Sequence, residues 1–303
     1  MRKPLLTILA TLLCLNVFAQ QTRYAVVDLS SIYMRAEPDY ESALETQELM
    51  GTVVAIVGEE GYWRQIVSPQ PYVAWCTEKG IVEISDEELA EYQNAPKRLF
   101  TGLYGHIYEA PFNDSPTICD LVGGDIMRFV EEDGDWTKVK TPSGKEGWVP
   151  TAQLRVHDGF YEIPMNNGFS GCISEELMEN IIATAYKLKG VPYLWGGMTP
   201  KGVDCSGLVR WSYLMNGVFL PRNASEMVTC GVEVPLHELK RGDLLFFGTL
   251  NSSDYTMKVT HVGIYVGDDY MIHSSHVVRV NSITPDKDDY YENAHKLIAA
   301  RRL

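Results

Sequence analysis

The chain is short of basic residues. Across 303 residues, 26 Lys and Arg stand against 40 Asp and Glu, a formal net charge of −14 at pH 7. A protein that works by neutralising phosphates needs the opposite balance, so general nucleic-acid binding is excluded. Cysteine is scarce too, at six residues, and no two form a CxxC pair. That argues against structural zinc and thioredoxin-type chemistry. Beyond the first twenty residues no apolar run is long enough to make a transmembrane helix. Low-complexity and collagen-like patterns are also missing. With 45% hydrophobic and 22% charged residues, the composition is that of a globular protein, and the length suggests two or three domains.

What is present begins with a leader-like pattern. Arg2 and Lys3 precede an apolar run from Leu5 to Leu15, broken by Thr7 and Thr11, and Val17-Phe18-Ala19 offers a cleavage site. Residues 1–19 are therefore expected to be a signal peptide, and the protein to be exported, periplasmic or secreted. Cys14 raises lipid attachment, but the preceding Leu13 is too large for such signals. After cleavage five cysteines are left, Cys76, Cys119, Cys172, Cys205 and Cys230. An odd count leaves at least one thiol free.

An internal repeat follows. Glu60-Gly61-Tyr62-Trp63 parallels Asp133-Gly134-Asp135-Trp136, an offset of 73 that also carries Pro38 onto Pro111, Gly51 onto Gly124 and Trp75 onto Trp148. Each copy reads as short β-strands bounded by Gly or acidic turns, which suggests a small barrel. With the Arg35-Ala36-Glu37-Pro38 loop, the turn tryptophans Trp63 and Trp136, and Gly147-Trp148-Val149, the two units resemble bacterial SH3-like domains, over residues 22–85 and 99–157. The first copy has Ala74-Trp75-Cys76 at the closing motif. Ser85 to Lys97 is read as a linker or short helix.

After residue 157 the period changes. Ser174 is placed to cap a helix in which Leu177, Met178, Ile181, Ile182, Ala185 and Leu188 recur at helical spacing, with Gly190 as the stop. A second helix is expected to start at Asp204-Cys205-Ser206 and end near Gly217. Three β-like runs come next, Asp243–Phe247, His261–Val266 and Tyr270–His273. Helices followed by an antiparallel sheet make an α+β unit.

Cys205 falls at the first turn of that second helix, where unpaired N–H groups and the helix dipole favour thiolate. A nucleophile needs a base. His261 and His273 lie twelve residues apart on runs joined by Gly267-Asp268-Asp269, so a hairpin would bring both rings to one end of a sheet. His261 could take the thiol proton and His273 fix its tautomer. The same Cys-His-His set is also a zinc candidate, ranked lower because no fourth ligand is evident.

Four stretches in order, Gly190-Val191-Pro192-Tyr193-Leu194-Trp195-Gly196-Gly197, Asp204-Cys205-Ser206-Gly207, Arg241-Gly242-Asp243-Leu244 and Thr260-His261-Val262-Gly263-Ile264-Tyr265, give residues 170–303 a resemblance to the NlpC/P60 family of papain-like cysteine peptidases. The resemblance implies Cys205 as nucleophile, His261 as base and His273 as the polar third member, with no cofactor or metal. Two SH3-like domains ahead of such a unit resemble the γ-D-glutamyl-L-diamino acid endopeptidases of the YkfC type. Their substrates are peptidoglycan stem peptides with a free N-terminal L-Ala. By that resemblance, Glu37, Tyr72, Tyr193, Asp204, Ser206 and Ser225 bind substrate, and the Tyr193 hydroxyl and Cys205 backbone N–H stabilise the oxyanion.

The repeat supports an asymmetry, because Glu37 falls on Ala110 and Tyr72 on Lys145. The expected product is L-Ala-D-Glu, released by a monomeric enzyme. The alternatives are an endopeptidase remodelling intact peptidoglycan, and a non-catalytic wall-peptide-binding protein. Cys76, Cys119, Cys172 and Cys230 are read as structural. His106, His157, His237, His276 and His295 have no companions at catalytic or metal spacing, and the Asp286–Asp289 run reads as a solvated loop.

Overall fold

The computed structural model describes residues 22–69, 72–165, 173–251 and 256–303. The expected signal segment with Cys14, the Gln70-Pro71 pair and Cys172 lie outside the described residues.

Seven strands come first: β1 (Arg23–Val27), β2 (Ser31–Arg35), β3 (Leu44–Leu49), β4 (Val53–Glu60), β5 (Trp63–Ser68), β6 (Tyr72–Thr77) and β7 (Ile81–Ile84). They form one antiparallel sheet in the order β3-β2-β6-β5-β4-β1-β7. Alternation explains why these runs are strands. In β2, Ile32 and Met34 point inward while Tyr33 is exposed. A small core of Ala25, Ile32, Met34, Val54 and Ile66 closes over this sheet.

The second group repeats the first at the offset seen in the sequence. β8 (Lys97–Phe100), β9 (Tyr104–Tyr108), β10 (Thr117–Val122), β11 (Ile126–Asp133), β12 (Trp136–Lys140), β13 (Glu146–Pro150) and β14 (Leu154–Val156) pair in the order β10-β9-β13-β12-β11-β8-β14. Adding 73 to β2, β3 and β4 gives the bounds of β9, β10 and β11. The β4–β5 and β11–β12 turns even share a left-handed glycine, Gly61 at φ +56° and Gly134 at φ +57°. Helix α1 (Asp86–Asn94) joins the groups, held by a reciprocal capping box between Ser85 and Glu88.

The remaining chain is an α+β unit. α2 (Glu175–Lys187) is capped by Ser174 and buries Met178, Ile181, Ile182 and Ala185. α3 (Cys205–Leu214) is buried along its whole length. It packs on a six-stranded antiparallel sheet ordered Val232–Glu233, Leu297–Arg302, Leu244–Leu250, Met257–Gly267, Tyr270–Ser275 and Val277–Ser282. The edge strands Val232–Glu233 and Val277–Ser282 and the internal strand Leu297–Arg302 go beyond the three runs legible in the sequence. Leu208, Val209 and Trp211 of α3 meet Phe246, Val262, Ile264 and Ile272 of the sheet in one core. Each such aliphatic side chain contributes about 1.5–3 kcal/mol on burial.

This unit is not separate from the two sheets before it. Leu49, Val122, Leu214 and Phe219 form a shared apolar cluster. Trp211 Nε1 donates to the Gly123 carbonyl at 2.7 Å, Tyr104 Oη donates to the Pro200 carbonyl at 2.6 Å, and Met198 N donates to Gln47 Oε1 at 2.8 Å. Strand β3 therefore lies against the segment that leads into α3.

Candidate active site

Cys205 is the first residue of α3 and is 8% exposed. Asp204 caps the helix, its Oδ1 accepting from Gly207 N at 2.6 Å and from Ser206 Oγ at 3.1 Å, and its Oδ2 from Gly196 N at 3.0 Å. A side chain at position 207 would meet the Gly197 carbonyl at 2.0 Å. Gly207 is what lets the 190–197 loop close over the helix start.

Contrary to the sequence-based expectation, the helix terminus does not make this thiol acidic. Burial, followed by the Asp204 charge, pushes Cys205 up to about 11, against the pull of the Val262 and Ser206 backbone N–H groups and of Arg222.

The two histidines come together as the hairpin argument required. Asp268 and Asp269 occupy a two-residue turn with φ of +52° and +64°, and Gly263 pairs with His273 across the strands. His261, two residues before Gly263, shares the face of His273. His261 Nε2 and His273 Nδ1 are 2.8 Å apart, and His273 Nε2 is 2.9 Å from Asn281 Oδ1.

The far end of this chain fixes every proton in it. Asn281 Nδ2 donates to the Asp289 carbonyl at 2.6 Å, and a carbonyl only accepts. Asn281 Oδ1 therefore faces His273, whose Nε2 must carry hydrogen. His273 Nδ1 is then an acceptor, His261 Nε2 donates to it, and His261 Nδ1 keeps its lone pair. Burial lowers His261 to about 3 and His273 to about 4, with further depression of His261 by the His273 and Arg279 charges. Both rings are neutral, as the relay needs.

Two clefts open beside these residues and share Tyr193 and Thr260. One, about 360 Å³, is lined by Cys205, Ser206, Ser225, Trp195, Tyr72 and Glu45. The other, about 610 Å³, is lined by His261, Phe247, His276, Tyr291, Asn293 and Lys296 among others. Both fall in the range of small-ligand sites.

Of the residues singled out from sequence, Tyr72, Tyr193, Asp204, Ser206 and Ser225 line the smaller cleft. Glu37 does not. It sits exposed on the β2–β3 loop, with its backbone N–H on Ser42 Oγ, and lines neither cleft. Asp204 lies in the cleft wall, but its charge is already matched. Arg222 Nη2 meets Asp204 Oδ2 at 2.5 Å, and Arg222 Nη1 reaches Asp204 Oδ1 and Ser206 Oγ at 3.1 and 2.9 Å. Arg222 Nε also donates to Thr46 Oγ1 of β3 at 2.7 Å.

The anion placed towards the cleft is Glu45, on β3, whose Oε2 accepts from Tyr72 Oη at 2.8 Å. Burial and that carboxylate push the Tyr72 phenol up to about 12. Sequence reasoning missed Glu45, Arg222, Asn281 and Lys296. The repeat held a signal for the first, since Glu45 falls on Ile118 at the same offset that singled out Tyr72.

Residues 190–298 match the model of the NlpC/P60 family, and residues 102–155 that of the bacterial SH3 domain. The chain is 30% identical over 250 residues to a gamma-D-glutamyl-L-lysine dipeptidyl-peptidase of Bacillus cereus, covering 80% of this chain and 70% of that protein. It is 26% identical to dipeptidyl-peptidase 6 of Lysinibacillus sphaericus over 91% of this chain and 97% of the relative. A crystal structure of an NlpC/P60 family protein from Bacillus cereus shares the fold, with a TM-score of 0.74 at 23% identity, over 92% of this chain and 99% of that one. Among the described residues, no helix is long and apolar enough to cross a membrane.

Proposed function

The chain belongs to the NlpC/P60 family, as a cysteine peptidase of peptidoglycan peptides, and from that premise we propose that it cuts the γ-D-Glu–diamino acid bond of short stem peptides with a free N-terminal L-Ala. The supporting observation is the smaller cleft, which the hydrogen-bonded pair Glu45 and Tyr72 lines together with Cys205. An ammonium leaving water needs an anionic, acceptor-rich pocket, and Glu45 supplies the charge that Asp204, neutralised by Arg222, does not. Glu45 takes the role first given to Glu37. Tyr72, Ser206, Tyr193 and Ser225 complete the lining.

The chemistry runs along the relay. Cys205 Sγ attacks the γ-carbonyl carbon of D-Glu while its proton passes to His261 Nδ1. His273, held by Asn281, keeps that nitrogen the basic one. The carbonyl oxygen becomes an oxyanion, to which the Cys205 backbone N–H at the helix start and the Tyr193 hydroxyl are assigned as donors. Collapse breaks the C–N bond, and His261 returns its proton to the departing amine. Water, deprotonated by the same nitrogen, then adds to the thioester carbonyl carbon; the C–S bond breaks, Cys205 Sγ takes the proton back from His261, and L-Ala-D-Glu leaves.

The unit 22–85 is read as a second SH3-like domain because its strand order matches that of the unit 99–157. Residues 170–303 are the catalytic domain. Residues 1–19 are read as an export signal, and the protein as acting outside the cytoplasm.

The test is product mass spectrometry on L-Ala-γ-D-Glu-diaminopimelate and its N-acetylated twin, with Cys205→Ala and Glu45→Gln variants. Cleavage of the free-amine peptide, abolished by Cys205→Ala and weakened about tenfold or more through KM by Glu45→Gln, is expected. Equal cleavage of both peptides overturns the amine-recognition reading.

A further inference from the structure

The larger cleft has a charge opposite to that of the smaller one. His261 must hand its proton to the leaving amine, so the leaving diamino acid occupies the cleft that His261 lines, and the acyl part occupies the one that Cys205 and Glu45 line. On the leaving side the lining is Tyr193, Phe247, Thr260 and His261, then the Ser274–His276 strand end, and Tyr291, Asn293 and Lys296. It contains no carboxylate and one permanent cation.

Lys296 ends the short turn Ala294–Lys296. Its exposed Nζ donates to Asn293 Oδ1 at 2.7 Å at the rim of the cleft and keeps two further N–H donors. No carboxylate among the described residues is paired with it. The half-buried Arg279, paired with His273 across the strands, adds positive potential and depresses both His261 and His273. Glu292, beside Tyr291, is exposed and does not line the cleft.

We propose that Lys296 is a specificity-determining residue that binds a carboxylate of the leaving diamino acid. The site thereby reads a peptide with an ammonium at one end and a carboxylate at the other. This rests on the reading of the reaction given above and extends it to the leaving side. A lysine side chain as leaving residue would set its own ammonium in a cleft that holds a cation and no anion. The carboxylate has two chemical sources. One is the main-chain carboxyl of a stem that ends at the diamino acid. The other is the side-chain carboxyl that a diaminopimelate-type residue has and lysine lacks.

The experiment uses four peptides, L-Ala-γ-D-Glu-Lys and L-Ala-γ-D-Glu-diaminopimelate, each as free acid and as main-chain amide, with the full-length protein and its Lys296→Met and Lys296→Arg variants. Exposed ion pairs are worth up to about 1 kcal/mol, so the wild type is expected to lose about fivefold in KM, with kcat little changed, when the recognised carboxylate is removed. Loss on amidation identifies the main-chain source, and loss on replacing diaminopimelate by lysine identifies the side-chain source. Lys296→Met is expected to raise KM about fivefold for the preferred peptide alone and to erase the difference, while Lys296→Arg keeps it. Equal KM for all four peptides with the wild type, or discrimination that survives in Lys296→Met, overturns the inference and leaves the peptidase intact. Cleavage of none by the wild type overturns the reaction itself, and the inference with it.

Discussion

Replacing Asn281 by leucine tests the proton assignment of the whole relay. Leucine keeps the branched shape of the amide while removing every polar atom, and Asn281 is only 7% exposed, so the change strikes at buried hydrogen bonds. With Asn281 Oδ1 gone, His273 Nε2 loses the acceptor at 2.9 Å that makes it the protonated nitrogen. His273 can then hold its hydrogen on Nδ1 and donate to His261 Nε2, across the 2.8 Å contact, instead of accepting from it. In that tautomer His261 Nδ1 carries hydrogen and cannot take the Cys205 proton. A buried N–H left facing leucine without an acceptor costs about 1–3 kcal/mol, which sets the productive tautomer below the other and leaves between about a fifth and a hundredth of the molecules competent. The expected result is a kcat reduced five- to a hundredfold on L-Ala-γ-D-Glu-diaminopimelate, with KM nearly unchanged because Asn281 lines neither cleft. Nitrogen NMR of labelled histidine reads the tautomer directly, and the His261 Nδ1 resonance should move from the bare to the protonated position. An unchanged kcat, or a loss confined to KM, refutes the reasoning.

Two further outcomes follow from the same geometry. Arg222→Leu leaves the buried Asp204 carboxylate uncompensated and cuts the tie to Thr46; a loss of about 3–5 kcal/mol in urea unfolding is expected, and an unchanged midpoint counts against the bridge. For pH, the base is active only when His261 is neutral. Burial lowers its folded value to about 3, so protonation removes activity only as pH falls through that depressed value. A pH profile of kcat/KM should stay flat from pH 7 to 5, and an acid limb centred near 6.5 refutes the neutral pair.

The parts of the site that could be read from sequence are those whose chemistry is local. Asp204-Cys205-Ser206-Gly207 is a helix start in any context, and His261 and His273 are tied by a two-residue turn. The repeat predicted a doubled strand order because strand lengths and turns are also local properties. Asp204 misled because its partner Arg222 lies eighteen residues on, so an apparent free anion is a satisfied cap. Glu37 stands out because the loop motif is conspicuous, whereas Glu45 sits in a plain strand and comes to the cleft beside Cys205 only through the fold. Cys205 shows competing effects: the helix terminus favours thiolate, but burial and a neighbouring carboxylate outweigh it.

Strand β3 sets one boundary on how this protein could have arisen. It supplies Glu45 to the cleft, Thr46 to Arg222 and Gln47 to the backbone of Met198, three consecutive residues joined to the catalytic unit. Its twin β10, one repeat later, has Ile118, Cys119 and Asp120 at those places. Of the two copies, the first lines the cleft through β3, while the second reaches the catalytic unit elsewhere, through the Asp120–Lys201 ion pair at 3.1 Å. Recombination that transplants the catalytic unit alone would carry Cys205, His261 and Lys296 along and leave the Glu45 side of the smaller cleft behind. The two sides of that cleft are thus written in stretches of gene more than a hundred codons apart, Glu45 on one and Cys205 on the other.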